Sequence, residues 1–360
     1  MQLLCCILLC NLLGLLGSGL GSGARNHDVC VGEVWLAGGQ SNMEYLLGFE
    51  KHIDEVLAGK MNPEIRFFNY PQVTYEGQLE DYNYCNDGFW RCCTKADLPY
   101  FSAVGYYFAL DVQKALDVPV GIIGCNWGGT SILSWMDEEA LNRCVPAMKA
   151  AEEYERSIEG ITLEMWQAKQ DAFQAEMDEW NGKVAKIKET NPNIEWAEIE
   201  KQAGVCPWHP PIGPGSPYRP GQLHRSMVAQ VAPAALSGIL FYQGESDVER
   251  AEDYGDLLIT LVTRWRELFG DAELPFYNVL VLFIGNNKKL ITKRQVYLWL
   301  PILSLLTVTI LSRNIFFLIL SQNRQSLFLH HPMTPSVCCK KKPHRPQHFF
   351  LSRLHPRELD

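Results

Sequence analysis

No Cys-x-x-Cys, no His-Glu-x-x-His and no Gly-x-x-x-x-Gly-Lys-[Ser/Thr] occurs in the 360 residues. These absences argue against a thiolate zinc ribbon, a helical zinc-hydrolase site and a phosphate-cradling loop. No motif calls for a metal or a cofactor. Positive charge is in short supply: 32 Lys+Arg stand against 41 Asp+Glu, for a formal charge of −9. An acidic balance of this kind excludes nucleic acid as the expected partner. Hydrophobic residues make up 47%, which excludes a mainly disordered, collagenous or coiled-coil chain. The length suits one large domain or two ordinary ones.

Acidic residues are missing altogether between Glu273 and Glu358. From Val279 onward there are twelve Lys+Arg and two acids, so the excess negative charge lies wholly before it. Such a reversal marks two pieces with different roles or histories. The basic and apolar tail, 282–360, contains Tyr297–Leu311 and Ile315–Leu320, together long enough for a bilayer. Pro301 and Arg313 work against a span, since a mid-helix charge costs roughly 2.5–3.5 kcal/mol. Membrane contact through the tail is therefore the lesser expectation, and sequence from an alternative exon the greater. At the other end, 1–28 is a signal-like apolar leader without Lys or Arg at its front. It reads as a secretory segment, placing the protein outside the cell or in lysosomes, or as a spurious upstream exon. In the first case Cys85 is a candidate disulfide partner of Cys92 or Cys93.

Between these ends, 29–37, 65–70, 118–125, 238–242 and 276–283 are β-rich runs, and 102–116 and 254–269 are helical. The alternation predicts an α/β fold: a three-layer sandwich around a mainly parallel sheet. Residues 148–203 differ, being rich in Glu, Lys, Gln and Ala. Trp166, Phe173, Met177, Trp180, Val184 and Ile187 form one apolar stripe of a long helix there. This helical insertion is either a lid or partner-binding arm, or a segment packed on its own domain. The Pro- and Gly-rich stretch 204–221 is a loop.

Three polar, glycine-bearing segments follow three of the strands. Gly38-Gly39-Gln40-Ser41-Asn42-Met43-Glu44 places a serine at a strand tip, where a helix begins. Free N–H groups there would stabilise an oxyanion. Ser41-x-x-Glu44 equally fits a capping box, which needs no catalysis. Gly124 to Ser131 follows the second strand, and its paired glycines expose backbone N–H groups or simply make a tight turn. Phe241-Tyr242-Gln243-Gly244-Glu245-Ser246-Asp247 follows the third. Gln243 could donate to an oxyanion and Glu245 could hold a polar group, or the acids could merely complement a helix N-terminus. In parallel sheets, loops at carboxyl strand ends converge.

As an ordered set, Trp35-Leu36-Ala37-Gly38-Gly39-Gln40-Ser41-Asn42-Met43, Trp127-Gly128-Gly129-Thr130 and Tyr242-Gln243-Gly244-Glu245-Ser246 resemble the sialate O-acetylesterase family of the SGNH/GDSL hydrolase superfamily. The likeness runs from about Val31 to Val281 and includes Arg219-Pro220-Gly221-Gln222-Leu223 and Leu274-Pro275-Phe276-Tyr277. It implies a serine-dependent carbohydrate esterase that removes O-acetyl groups from sialic acids or related sugars, with an acetylated sugar as small-molecule partner. By the same resemblance Ser41 matches the nucleophile. The N–H of Gly129 (or Gly128) and the side chain of Gln243 match oxyanion donors. Glu245 matches a polar support, structural rather than acid–base.

The resemblance also implies a catalytic histidine near the carboxyl end, just after an acid, in an Ile-His-Pro-like segment. Leu354-His355-Pro356 imitates that segment without the acid. His52, His209 and His224 have no motif support, and His224 is expected in a loop or the core. A truncated, inactive homologue with sugar-binding aromatics such as Trp90, Trp127 and Trp135 is the rival expectation.

Overall fold

The computed structural model describes residues 29–75, 78, 87–192, 194–208 and 210–279. The leader, Cys85, His209 and the tail with His355 lie outside the described residues. Strands β1 (Glu33–Gly39), β2 (Ile65–Asn69), β3 (Trp90–Cys92), β4 (Val120–Asn126), β5 (Gly238–Tyr242) and β6 (Phe276–Asn278) form one sheet in the order β3-β2-β4-β1-β5-β6. Every pairing is parallel except β2 with β3. Helices α1 (Ser41–Glu44), α2 (Ile53–Ala58), α3 (Ala103–Leu116), α4 (Glu138–Arg143), α5 (Val145–Ser157), α6 (Leu163–Thr190), α7 (Trp196–Ala203), α8 (Ala229–Val231) and α9 (Tyr254–Phe269) complete it.

Strand alternation explains the three layers. On one face of the sheet, Leu36, Ile123, Cys125, Ile239 and Phe241 pack with Leu257, Leu261 and Trp265 of α9. On the other, Trp35, Ala37, Ile65, Phe67, Ile122 and Leu240 pack with Ala103, Tyr106, Phe108 and Ala109 of α3. The expected α/β three-layer sandwich is thus the observed one. β3 was not anticipated: a three-residue edge strand is too short to show a period. Its buried Arg91 lies over the rings of Phe67, Phe89 and Tyr100.

The insertion consists of α5, α6 and α7. The long helix buries Trp166, Trp180 and Val184 and leaves Phe173, Met177 and Ile187 half-buried, which is the stripe read from the sequence. Trp180 and Val184 join Ile199 and Ala203 of α7 in a small core of their own. At its N-terminal end, α6 is fastened to the following loop: the Trp166 indole N–H donates to the Pro211 carbonyl at 2.9 Å. The ring lies so close to Gly213 and Gly215 that a Cβ at either would come within 2.4 Å of it. Among the described residues, no helix is long and apolar enough to cross a membrane. Cys92 and Cys93 carry free thiols.

Candidate functional site

Strand register brings the three polar segments together. Gly39 pairs with Asn126 on one side and Tyr242 on the other, so β4, β1 and β5 end side by side. Ser41, Gly128-Gly129 and Gln243 therefore share one end of the sheet. The glycine pair belongs to β1 itself rather than bounding it. At Gly39, φ is +132°, and a Cβ would lie 2.1 Å from the Tyr242 carbonyl oxygen. Only glycine lets the central strand turn there while keeping both neighbours.

Ser41 does not cap α1. Gln40 occupies the N-cap position without a side-chain cap, and Glu44 is turned elsewhere. At four residues α1 is too short for an appreciable macrodipole, so what it offers is local. Gln40, Met43 and Glu44 N–H groups are bonded to Tyr242 and Gln40 carbonyls. The N–H groups of Ser41 and Asn42 have no backbone acceptor among the described residues. The half-buried Ser41 hydroxyl has no hydrogen-bond partner there either.

Glu44 ties this turn to the next. It accepts from Gly128 N–H at 2.5 Å and from Gln72 Nε2 at 2.9 Å, and Gln72 also donates to the Asn126 carbonyl at 3.0 Å. Burial raises the Glu44 carboxyl above its ordinary value, against the lowering effect of these donors. Held in this way, Gly129 adopts φ +75°, and its N–H has no acceptor among the described residues. Tyr218 lies alongside: a Cβ on Gly129 would be 3.5 Å from its ring, with Trp208 at 3.8 Å.

Beneath the turns lies a buried polar knot. The Gln243 amide nitrogen reaches Gln40 Oε1 (3.1 Å), the Thr130 carbonyl (3.1 Å) and Asp247 Oδ2 (2.5 Å). Its carbonyl oxygen accepts from the Tyr254 hydroxyl at 2.8 Å. The side chain is wholly buried, and two amide hydrogens face three internal acceptors. An oxyanion would have to displace one of them. Asp247 also accepts from Ser131 Oγ at 2.5 Å and from Ile132 N–H at 2.8 Å. It is fully buried, so it joins two turns instead of complementing a helix end. Burial raises its carboxyl.

Glu245 accepts from the Asn42 side-chain amide through Oε1, while Oε2 is buried with no partner among the described residues. Burial raises this carboxyl too. Neither described histidine belongs to the site. His52 is exposed and pairs with Glu55 at 3.2 Å. His224 lies buried in a π-helical turn, His224–Val228, facing Asp137 and Arg264, and burial lowers its pKa. Trp135 cannot meet a sugar, because it is fully buried with its N–H on Thr130 Oγ1. Trp90 is on edge strand β3 against Phe68, and Trp127 is half-buried against the core. Gln40, Glu44 and Asp247 stood within the quoted segments, Gln40 without a role, Glu44 as half of a capping box and Asp247 as a helix-end acid; Gln72 and Tyr218 carried no spacing signal.

Sequence comparison places the chain among carbohydrate esterases. The family model described as carbohydrate esterase, sialic acid-specific acetylesterase, matches residues 31–193 and 207–312, and the chain belongs to this family. The match thus runs beyond Val281, where the likeness read from the sequence ends, and takes in 282–312 of the tail. Mouse sialate O-acetylesterase is 26% identical over 257 residues, covering 68% of this chain and 41% of that protein. The human protein is 25% identical over 252 residues, covering 68% and 37%. The chain therefore spans about two-fifths of the length of these relatives. A solved carbohydrate acetylesterase from Xanthomonas citri is 24% identical, with a TM-score of 0.44, covering 70% of this chain and 41% of that one.

Proposed function

We propose that this chain is a carbohydrate esterase that removes O-acetyl groups from sialic acid or a related sugar, with Ser41 as nucleophile. One observation carries the reading: a serine hydroxyl without a partner among the described residues stands at the tip of the central strand, with N–H groups likewise unengaged there on its own turn and on Gly129. Attack of Ser41 Oγ on the acetyl carbonyl would give a tetrahedral oxyanion facing those N–H groups. Collapse would expel the sugar alcohol and leave an acetyl-serine, which water converts to acetate. These steps need no metal or cofactor. Gln243 holds the three turns in register as it stands, and donates to the oxyanion only if an internal acceptor gives way. Glu245 positions Asn42, and through it the turn bearing Ser41.

Leu354-His355-Pro356 has no acid just before it, unlike the segment that the resemblance implies. That sequence observation favours a second reading, an inactive homologue that binds sugar without turning it over. A serine-directed fluorophosphonate and an acetyl-ester assay separate the two. The esterase reading expects labelling and turnover above a heat-killed control in wild type, with both lost in Ser41→Ala. Equal labelling of wild type and Ser41→Ala removes Ser41 as nucleophile. Sugar binding without turnover in the full chain supports the second reading.

A further inference from the structure

Tyr218 lies outside every motif that carried the functional reading, yet it borders the turn that bears Gly129. Its hydroxyl and ring edge are 3.6 and 3.5 Å from where a Cβ of Gly129 would be. The hydroxyl has no hydrogen-bond partner among the described residues. The backbone around it is tightly held. Arg219 donates to both Glu155 oxygens, at 2.7 and 2.9 Å, and to the Pro214 carbonyl at 3.2 Å. Gly221 N–H donates to the Leu133 carbonyl at 2.9 Å. Tyr154 both accepts from Gly213 N–H and donates to its carbonyl, each at 3.2 Å. Trp208 borders the same point, 3.8 Å from where the Cβ of Gly129 would be. A phenol fixed on so rigid a segment has lost the freedom that a hydrogen bond to a ligand would otherwise cost.

We infer that Tyr218 is a specificity-determining residue of this site, its hydroxyl bonding an oxygen of the sugar alcohol while the acetyl group lies over Ser41 and Gly129. The inference rests on the esterase reading above and adds the sugar side of the site to it. Burial, and then the negative charge of Glu44, push the phenol pKa up to about 12. The hydroxyl therefore keeps its proton across the physiological range and remains a donor.

The experiment compares the full chain with Tyr218→Phe and Tyr218→Ala on two substrates, 4-nitrophenyl acetate and an O-acetylated N-acetylneuraminic acid. The readout is the ratio of the two kcat/KM values, because loss of a hydrogen bond to the sugar penalises only the sugar ester. In Tyr218→Phe the ratio is expected to fall about tenfold against the sugar, and in Tyr218→Ala further. An unchanged ratio overturns the proposal, whether both activities fall together or neither changes. If wild type hydrolyses neither ester, the esterase reading fails separately. Tyr218 is then judged by quenching of tryptophan fluorescence with the same sugar, where a Kd weakened about tenfold in Tyr218→Phe supports it and an equal Kd overturns it.

Discussion

Gly39 and Glu245 show how much of this site depends on single positions. A side chain at Gly39 collides with the backbone of β5, in a conformation that L-residues rarely adopt. Gly39→Ala is expected to lower stability by more than about 1 kcal/mol, seen as an earlier urea midpoint with an unchanged m-value. Glu245 behaves differently, because its cost depends on pH. Its folded carboxyl titrates above the ordinary 4.5, so its contribution to stability is fully present below that value. The contribution is lost as pH rises from there through the raised pKa. Thermal midpoints of wild type and Glu245→Gln across pH 4 to 8 should show wild type losing ground to the variant as pH rises; parallel curves would contradict this. Ser41, Gly129, Gln243 and Glu245 were legible because each sits in a glycine-marked segment after a β-rich run. Glu44 was visible too, but as half of a capping box. Its true bond, to Gly128, spans 84 positions and has no local signature. For Asp247 the helix-end alternative was the only role the sequence offered, for the same reason, since its inward direction depends on the turn after another strand.

Helices decide whether those side chains meet. Ser102 caps α3 by accepting from Gly105 N–H at 3.2 Å and donates to the Met43 carbonyl at 2.6 Å, so one hydroxyl joins α3 to α1. Ser102→Ala is expected to cost about 2 kcal/mol, one part for the cap and one for the orphaned carbonyl. A loss in denaturant-derived stability well under 1 kcal/mol would show that the two helices do not depend on it. Trp166 plays the corresponding part for α6. Removing its ring leaves Gly213 and Gly215 facing a void, and Trp166→Ala is expected to cost about 3–5 kcal/mol. Protease cutting within 204–221 should accelerate in parallel, because the ring fastens that loop. The apolar stripe of α6 was readable at helical spacing, whereas its docking partner was not: a loop rich in Pro and Gly has no period. α1 was foreseen as a helix start but stops after four residues, since Tyr45 and Leu46 turn extended to carry the chain to Ser102.

Across the molecule, the charge reversal near Val279 and the family match to residue 312 bear on where a general base would come from. An imidazole base imposes a step on the kcat/KM profile near pH 6.5. Of the described histidines, His52 is paired at the surface and His224 is sunk in the core, so His52→Ala is expected to leave any such step in place. A step abolished by His355→Ala would instead assign the base to the tail. The mainly parallel sheet was legible, because β-rich runs alternating with helices admit few other arrangements, whereas the strand order was not read from the sequence. The bond from Gln243 to Gln40 joins residues 203 apart in the chain. Nothing in the first two hundred residues can rehearse that contact, so a nascent chain holds Ser41 beside the Gly128-Gly129 turn but without the third turn until β5 arrives. Assembly of the pocket is then one of the last and slowest events of folding, and a ligand bridging all three strand tips should act as a clasp, lengthening the lifetime of the native state.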